Sequence, residues 1–363
     1  MLYLDNAATT KVHKRVVDKM IQYLDYNYGN ANSRFYKLAV DSRGAVEEAR
    51  GNIAKLLNCS PESIIFTSGS TESNNFVLKS LFFDNRLKHI ITSRVEHSSI
   101  IETCKFLEEK NIKVSYLNVN KEGVVDIEEL KSKLTNETSL VTLMLVNNEV
   151  GSINPVYEIS QICKEKGILF HIDATQAIGK MVIDLSKLSC DYMSLSSHKI
   201  YGPKGVGALY KRNVLQLLTP LIHGGEQENG ERGGTLATHQ IVGFGEAAKI
   251  CSEDLEKNIK KLENDERKLI EKLKFEFNND IEIVNNFKSK IPGIVSVRFK
   301  GINNEVFLKA VSEKICASTG AACSNSNPSH VLQALGYSLD QIREVVRFSI
   351  SAYDDYNEFD ELS

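Results

Sequence analysis

Short apolar runs that alternate with helical periodicity constrain this chain more than any other feature of its sequence. The runs fall at Ser63–Phe66, His89–Thr92, Lys113–Leu117, Leu140–Val146, Ile168–Ile172, Asp191–Leu195 and Val206–Tyr210. Helical spacing lies between most of them, at Ser73–Phe82 and Tyr157–Lys166 among others. It also precedes them, at Ala45, Val46, Ala49, Ile53, Leu56 and Leu57. Strands interleaved with helices read as a mostly parallel α/β sheet, because parallel neighbours need a crossover between them. Past residue 250 the pattern changes. A long charged amphipathic helix is expected over Ser252–Phe275. Strands follow at Ile294–Phe299 and Val345–Ile350, with helices around Val306–Ile315 and Gln341–Val346. A chain of 363 residues with such a change of character reads as a large domain followed by a smaller one.

Composition removes several function classes. The net charge of −3 is spread along the chain, with no basic run to track a phosphate backbone, so direct nucleic-acid binding is not expected. No apolar stretch approaches the ~20 residues of a membrane span. Met1–Thr10 has neither the charged start nor the apolar middle of a signal peptide, and a cytoplasmic location is expected. Cysteines stand at 59, 104, 163, 190, 251, 316 and 323 with no CxxC pair and no Cys/His cluster. Neither a disulfide framework nor a metal site is expected from that spacing.

Three segments carry chemistry. In Phe66-Thr67-Ser68-Gly69-Ser70-Thr71-Glu72-Ser73, a strand runs through small residues into a helix, and backbone N–H groups and hydroxyls converge there. The place suits a phosphate, although Ser and Thr also favour an ordinary helix cap. In Leu169-Phe170-His171-Ile172-Asp173-Ala174-Thr175-Gln176, an Asp stands at the carboxyl end of a buried strand, where open α/β sheets gather ligands. The plain alternative is a helix cap. In Ser194–Gly207 a Lys follows a strand and precedes Gly and Pro, a rigid setting for a Schiff-base lysine, whereas a lone loop lysine is usually solvated. The three explain one another. Pyridoxal 5′-phosphate (PLP) needs a carboxylate for its ring nitrogen, a lysine for its aldehyde and a cradle for its phosphate.

With these segments in this order, the chain resembles the cysteine desulfurases of the class-V aminotransferase family, PLP enzymes of fold type I. The likeness runs from Tyr3–Thr10 to Arg347-Phe348-Ser349. It is carried by TSGSTESNN (67–75), NNEVG (147–151), HIDATQ (171–176), SSHKIYGPKGVGALY (196–210) and the segment around Cys323. The resemblance implies a large PLP-binding domain over 15–250 with a mostly parallel seven-stranded sheet. It also implies a small α+β domain made of 1–14 and 251–363. Lys199 is implied as the Schiff-base lysine, Asp173 as the partner of the ring nitrogen, Gln176 as a contact of the ring hydroxyl and Asn148 as a further cofactor contact. His97 is implied to stack on the ring and handle protons, although a lone strand-end His is otherwise a cap or core residue. Ser70, Thr71, Ser196 and His198 match phosphate ligands, and Thr235 matches a threonine that reaches the neighbouring subunit's phosphate, which implies a homodimer with shared sites. Arg347 matches the arginine that holds the substrate carboxylate, and Asn6 lies where the site is closed from the small-domain side.

Cys323 matches the cysteine that takes sulfur from L-cysteine as a persulfide, with alanine released. A sulfur acceptor, either an iron–sulfur scaffold or a tRNA-thiolation enzyme, is the implied downstream partner. The loop after Cys323 is shorter than in relatives that serve iron–sulfur scaffolds, and Ala31 and Tyr36 stand where the family more often has Pro and His. The rivals are a selenocysteine lyase, an aminotransferase and a catalytically retired binding partner. An aminotransferase has no need of Cys323. A retired homologue has no need of Lys199, Asp173, His97, Cys323 and Arg347 together.

Overall fold

The computed structural model describes residues 1–319, 328–356 and 359. The seven expected strands form one sheet in the order Ile64–Thr67, Gly207–Lys211, Tyr192–Ser196, Leu169–Asp173, Thr138–Met144, His89–Ser93 and Lys113–Leu117. All pair in parallel except Gly207–Lys211, which runs antiparallel to both neighbours. The central strands are buried along their length, and their near-continuous apolar character reflects helices on both faces. The carboxyl ends of Leu169–Asp173 and Tyr192–Ser196, and the loops after His89–Ser93 and Thr138–Met144, therefore meet at one edge.

A three-stranded antiparallel sheet, in the order Val345–Ser349, Ile294–Phe299 and Ile281–Ile283, forms the second layer system. The first residues of the chain reach across to it. Leu2–Tyr3 pairs in parallel with Ile315–Cys316, and Ser349 donates its N–H to Leu4 O at 2.7 Å. These two-residue strands are too short for any periodicity to reveal.

The long helix differs from its expectation. It spans Thr238–Phe277, not 252–275, and passes residue 250 without a break. Its second half carries buried residues at Asn258, Leu262, Asp265, Leu269 and Leu273, the spacing of one helix face. Its first half is buried nearly all round, so it shows no amphipathic period. There the helix lies directly on Lys37–Leu57: a Cβ on Gly245 would stand 2.4 Å from Ala49 Cα, an approach open only to glycine. Two shorter helices also end early. Asn304–Val311 gives way before Ile315–Cys316, and Leu339–Ile342 stops before the strand at Val345.

Candidate active site

The strand ends enclose a cavity of about 360 Å³, lined by Ala7, Ser70, Thr71, His97, Asn148, Asp173, Thr175, Gln176, His198, Lys199 and Arg347 among others. That volume suits a small cofactor with its substrate. Lys199 closes the short turn after Tyr192–Ser196, and its Nζ donates to Ala7 O at 2.6 Å and Ala8 O at 2.7 Å. Asp173 ends its strand almost wholly buried. Its Oδ1 accepts the Thr175 N–H at 3.0 Å, and its Oδ2 accepts from Asn74 Nδ2 at 2.8 Å.

That Asn74 contact belongs to a longer network. The Asn74 amide also donates to Ser99 Oγ at 2.8 Å, and Ser99 Oγ lies 2.9 Å from His97 Nδ1. The Ser99 backbone N–H points at the same Nδ1 at 3.1 Å, so Nδ1 is an acceptor and the neutral ring carries its proton on Nε2. Burial holds the His97 pKa below its usual value, with Lys199 and His330 reinforcing the shift and Asp173 opposing it. His97 therefore does both things that its sequence allowed. It caps the helix Ser98–Glu108 through Nδ1, and it lines the cavity.

At the opposite end, Ser70 and Thr71 open the helix Ser70–Phe83, whose first-turn N–H groups have no acceptor inside the helix. Gly69 precedes them at φ +156°, and the chain is packed there from behind: a Cβ on Gly207 would lie 2.6 Å from Gly69 Cα. His198 sits beside them with Nδ1 3.2 Å from Thr9 Oγ1, its pKa pushed down to about 4 by burial and by Lys199, Lys204 and Lys180. Arg347, 2% exposed, donates from Nη1 to Asn148 O at 2.9 Å and pairs through Nη2 with Asp5 Oδ1 at 2.8 Å.

A model of class-V aminotransferases matches residues 2–362. The chain is 41% identical to the mitosomal cysteine desulfurase of Encephalitozoon cuniculi, over 99% of this chain and 84% of that protein. It is 40% identical to the cysteine desulfurase IscS of Pseudoalteromonas translucida, over 99% and 90%. A solved NifS-like protein superposes with a TM-score of 0.92 at 38% identity, covering 99% of this chain and 96% of the other. A structure described as SspA in complex with cysteine superposes at 0.85 and 34% identity, covering 98% and 100%. The chain belongs to the class-V aminotransferases, among their cysteine desulfurases.

This family implies PLP. The residues present fit it: a carboxylate at a strand end, a lysine within the same cavity, and a helix N-terminus kept open by Gly69 and Gly207. The buried hydroxyl of Thr175, with no hydrogen-bond partner among the described residues, lines the same space.

The desulfurase does not gather every expected residue at the cavity wall. Ser196 is buried one step behind it, its Oγ 4.0 Å from where a Gly69 Cβ would stand. Asn6 is buried outside it, donating to Ser349 O at 3.0 Å, and lines a separate small void. Thr235 is exposed on the loop before Thr238–Phe277 and does not line this cavity. Cys323 lies outside the described residues, but both flanks of its segment are anchored at the site. Ser318 exchanges backbone hydrogen bonds with Arg347, and Ser329 Oγ donates to the cavity-lining Glu149 at 2.5 Å.

Sequence reasoning missed Asn74, Ser99, Glu149 and His330. Burial holds the Glu149 carboxyl above its ordinary range, with the Ser329 hydroxyl, His330 and Arg347 opposing. His330 donates Nε2–H to Glu96 O at 2.9 Å and lines the cavity. The available signal was polarity in the wrong place. Asn74 sits buried in the helix Ser70–Phe83, where an Asn is out of place unless its amide is engaged, as its NH₂ is by Asp173 and Ser99.

Proposed function

We propose that this chain is a PLP-dependent L-cysteine desulfurase that takes the sulfur of its substrate onto Cys323 as a persulfide and releases L-alanine. The observation that carries this reading is the convergence of Lys199, Asp173 and the Ser70–Thr71 helix start on one cavity, with Ser318 and Ser329, on either side of the Cys323 segment, bonded to the cavity-lining Arg347 and Glu149. Bound PLP supplies an electron sink for the substrate carbon.

Each side chain has a part. Lys199 Nζ holds the aldehyde and then carries the substrate α-proton. Asp173 faces the ring nitrogen, steadied by Asn74, while Gln176 and Asn148 face other polar groups of the ring. Ser70, Thr71 and His198 would hold the phosphate, with Ser196 supporting them from behind and Thr235 contributed by a second copy in a homodimer. His97, with its proton on Nε2 when neutral, would lie against the ring and exchange protons there. Arg347 offers a planar fork to the substrate carboxylate, with Asn6 fixing the adjacent N-terminal segment. The Cys323 thiolate attacks the substrate sulfur, so an S–S bond forms as the C–S bond breaks. The electron pair stays with the carbon, which takes a proton and leaves as alanine.

The same reading assigns 15–250 to a PLP-binding domain and 1–14 with 251–363 to a smaller one. It places an acceptor of iron–sulfur or thiolation chemistry downstream. The purified protein should show a visible Schiff-base band and make sulfide and alanine in equal amounts from L-cysteine with a thiol reductant. Cys323→Ala should keep the band and lose sulfide, and Lys199→Ala should lose both. Alanine formed only with a keto acid, indifferent to Cys323, would mean an aminotransferase instead.

A further inference from the structure

A second lysine sits behind the cavity with no part in the chemistry described above. Lys180 Nζ donates to Gln176 Oε1 at 2.7 Å, and Gln176 Nε2 donates to Ala7 O at 2.8 Å. Ala7 O also accepts from Lys199 Nζ at 2.6 Å. The two lysines are thus joined through one amide and one carbonyl. Chemistry alone fixes the orientation of that amide. An ammonium only donates and a carbonyl only accepts, so Gln176 must turn Oε1 to Lys180 and its NH₂ to Ala7. The second N–H of that NH₂ group remains for the cavity that Gln176 lines.

We propose that Lys180 is a positioning residue that locks the Gln176 amide with its N–H side toward the ring hydroxyl of the cofactor. The inference rests on the PLP reading of the site. Ionised Lys180 is the lock. A neutral amine both donates and accepts, so it would hold the Oε1 end less firmly, with Ala7 O still taking the NH₂ end. Burial pushes the Lys180 pKa down to about 7, Lys199 and Arg347 push the same way, and the Cys251 thiol opposes them. His198 and Tyr201 complete the ionisable surroundings: His198 is itself lowered in part by Lys180, and Tyr201 lines the small void beside it.

Five proteins test this: wild type, Lys180→Met, Lys180→Arg, Gln176→Ala and the Lys180→Met/Gln176→Ala double variant. Two quantities are read from each, the dissociation constant of PLP from the apoprotein by equilibrium dialysis and the pH midpoint of the visible band of the loaded protein. Lys180→Met is expected to weaken PLP roughly tenfold, the scale of a lost charge-assisted hydrogen bond. It should also shift the pH midpoint of the band. Lys180→Arg should restore both, because its guanidinium only donates. The double variant should bind PLP no more weakly than Gln176→Ala alone, since Lys180 then has no amide to hold. Losses that multiply in the double variant, or a Lys180→Met protein matching wild type in both quantities, would overturn the inference. A wild type that takes up no PLP would instead overturn the reading of the site.

Discussion

Glu96 offers a quantitative check on how this interior handles charge. Its carboxyl is wholly buried, accepts from Ser93 Oγ at 2.6 Å through Oε1, and leaves Oε2 without a partner among the described residues. Burial raises its pKa from 4.5 to about 8, with nearby Asp173 adding to the rise and hydrogen bonds from Ser93 and the Met144 backbone opposing it. The folded protein therefore keeps a proton that the unfolded chain gives up near pH 4.5. Between those values the native state binds more protons than the unfolded one, so stability falls as pH rises and levels off above about 8.

Glu96→Gln removes the titration while keeping an oxygen for Ser93 and a neutral group in place of the protonated acid. At pH 5.5 the variant should lie close to wild type. By pH 8.5 it should be the more stable protein, by up to about 3 kcal/mol at ~1.4 kcal/mol per unit, and less where the interior relaxes. Comparing melting temperatures of the two proteins at each pH cancels every other titrating group. Curves that stay parallel from pH 5.5 to 8.5 would show that Glu96 is ionised in the fold and that the burial argument is wrong.

Gly207→Ala would place a methyl 2.5 Å from Leu195 O and 2.6 Å from Gly69 Cα. Backbone cannot yield as a side chain does, so a loss of about 1–3 kcal/mol in stability is expected. PLP affinity should fall with it, as measured by titrating the apoprotein. Glu228→Gln removes the charge that pairs with Arg50 at 2.8 Å, in a place where the Glu side chain is 2% exposed. Chemical denaturation should show a loss on the scale of about 3–5 kcal/mol, against well under 1 kcal/mol for Asp18→Asn in the solvent-facing pair with Lys14. Burial lowers the His97 pKa, so its ring should titrate at lower pH than a solvent-exposed histidine. Its ring resonances in an NMR titration should show this, and a midpoint at or above the ordinary histidine value would refute the burial argument.

The sheet was legible because all of its strands but the edge strand Lys113–Leu117 are buried along most of their length. Apolar runs such as Leu140–Val146 therefore marked strands to within a residue or two at most ends. The helix Thr238–Phe277 was half legible: where one face is wet the period shows, and where Ile241–Cys251 is covered nearly all round it does not. The site divides in the same way. Asp173 and Lys199 stand at strand ends, so position in the chain translates directly into position in space. Asn74, Ser99 and Glu149 act through contacts across the fold, Asn74 reaching Asp173 99 residues away, and no local pattern announces such a contact. Lys180 is the extreme case. Its sequence neighbours, Ala177 to Ile183, read as an ordinary turn after a helix-like stretch, and only the fold shows its ammonium held against Gln176.

The N-terminal segment explains how residues from two separate sheets come to share one cavity. Leu4 is bonded into the edge beside Cys316 and Ser349, Ala7 N–H donates to Ser349 Oγ at 2.8 Å, and Asp5 holds Arg347. Two residues further on, the same segment turns to the large sheet. Ala7 O and Ala8 O receive Lys199, Ala7 O receives Gln176, and Thr10 donates from both its N–H and its hydroxyl to His198 O at 3.0 Å. This one segment thus fixes Arg347 on one side through the Asp5 carboxylate and Lys199 on the other through backbone carbonyls. The separation between the fork meant for a carboxylate and the amine meant for an aldehyde is then set by a few residues of one segment. This gives Asn6 a physical task that contact with substrate does not explain: it holds the segment to Ser349 at the point where it passes between the two sheets.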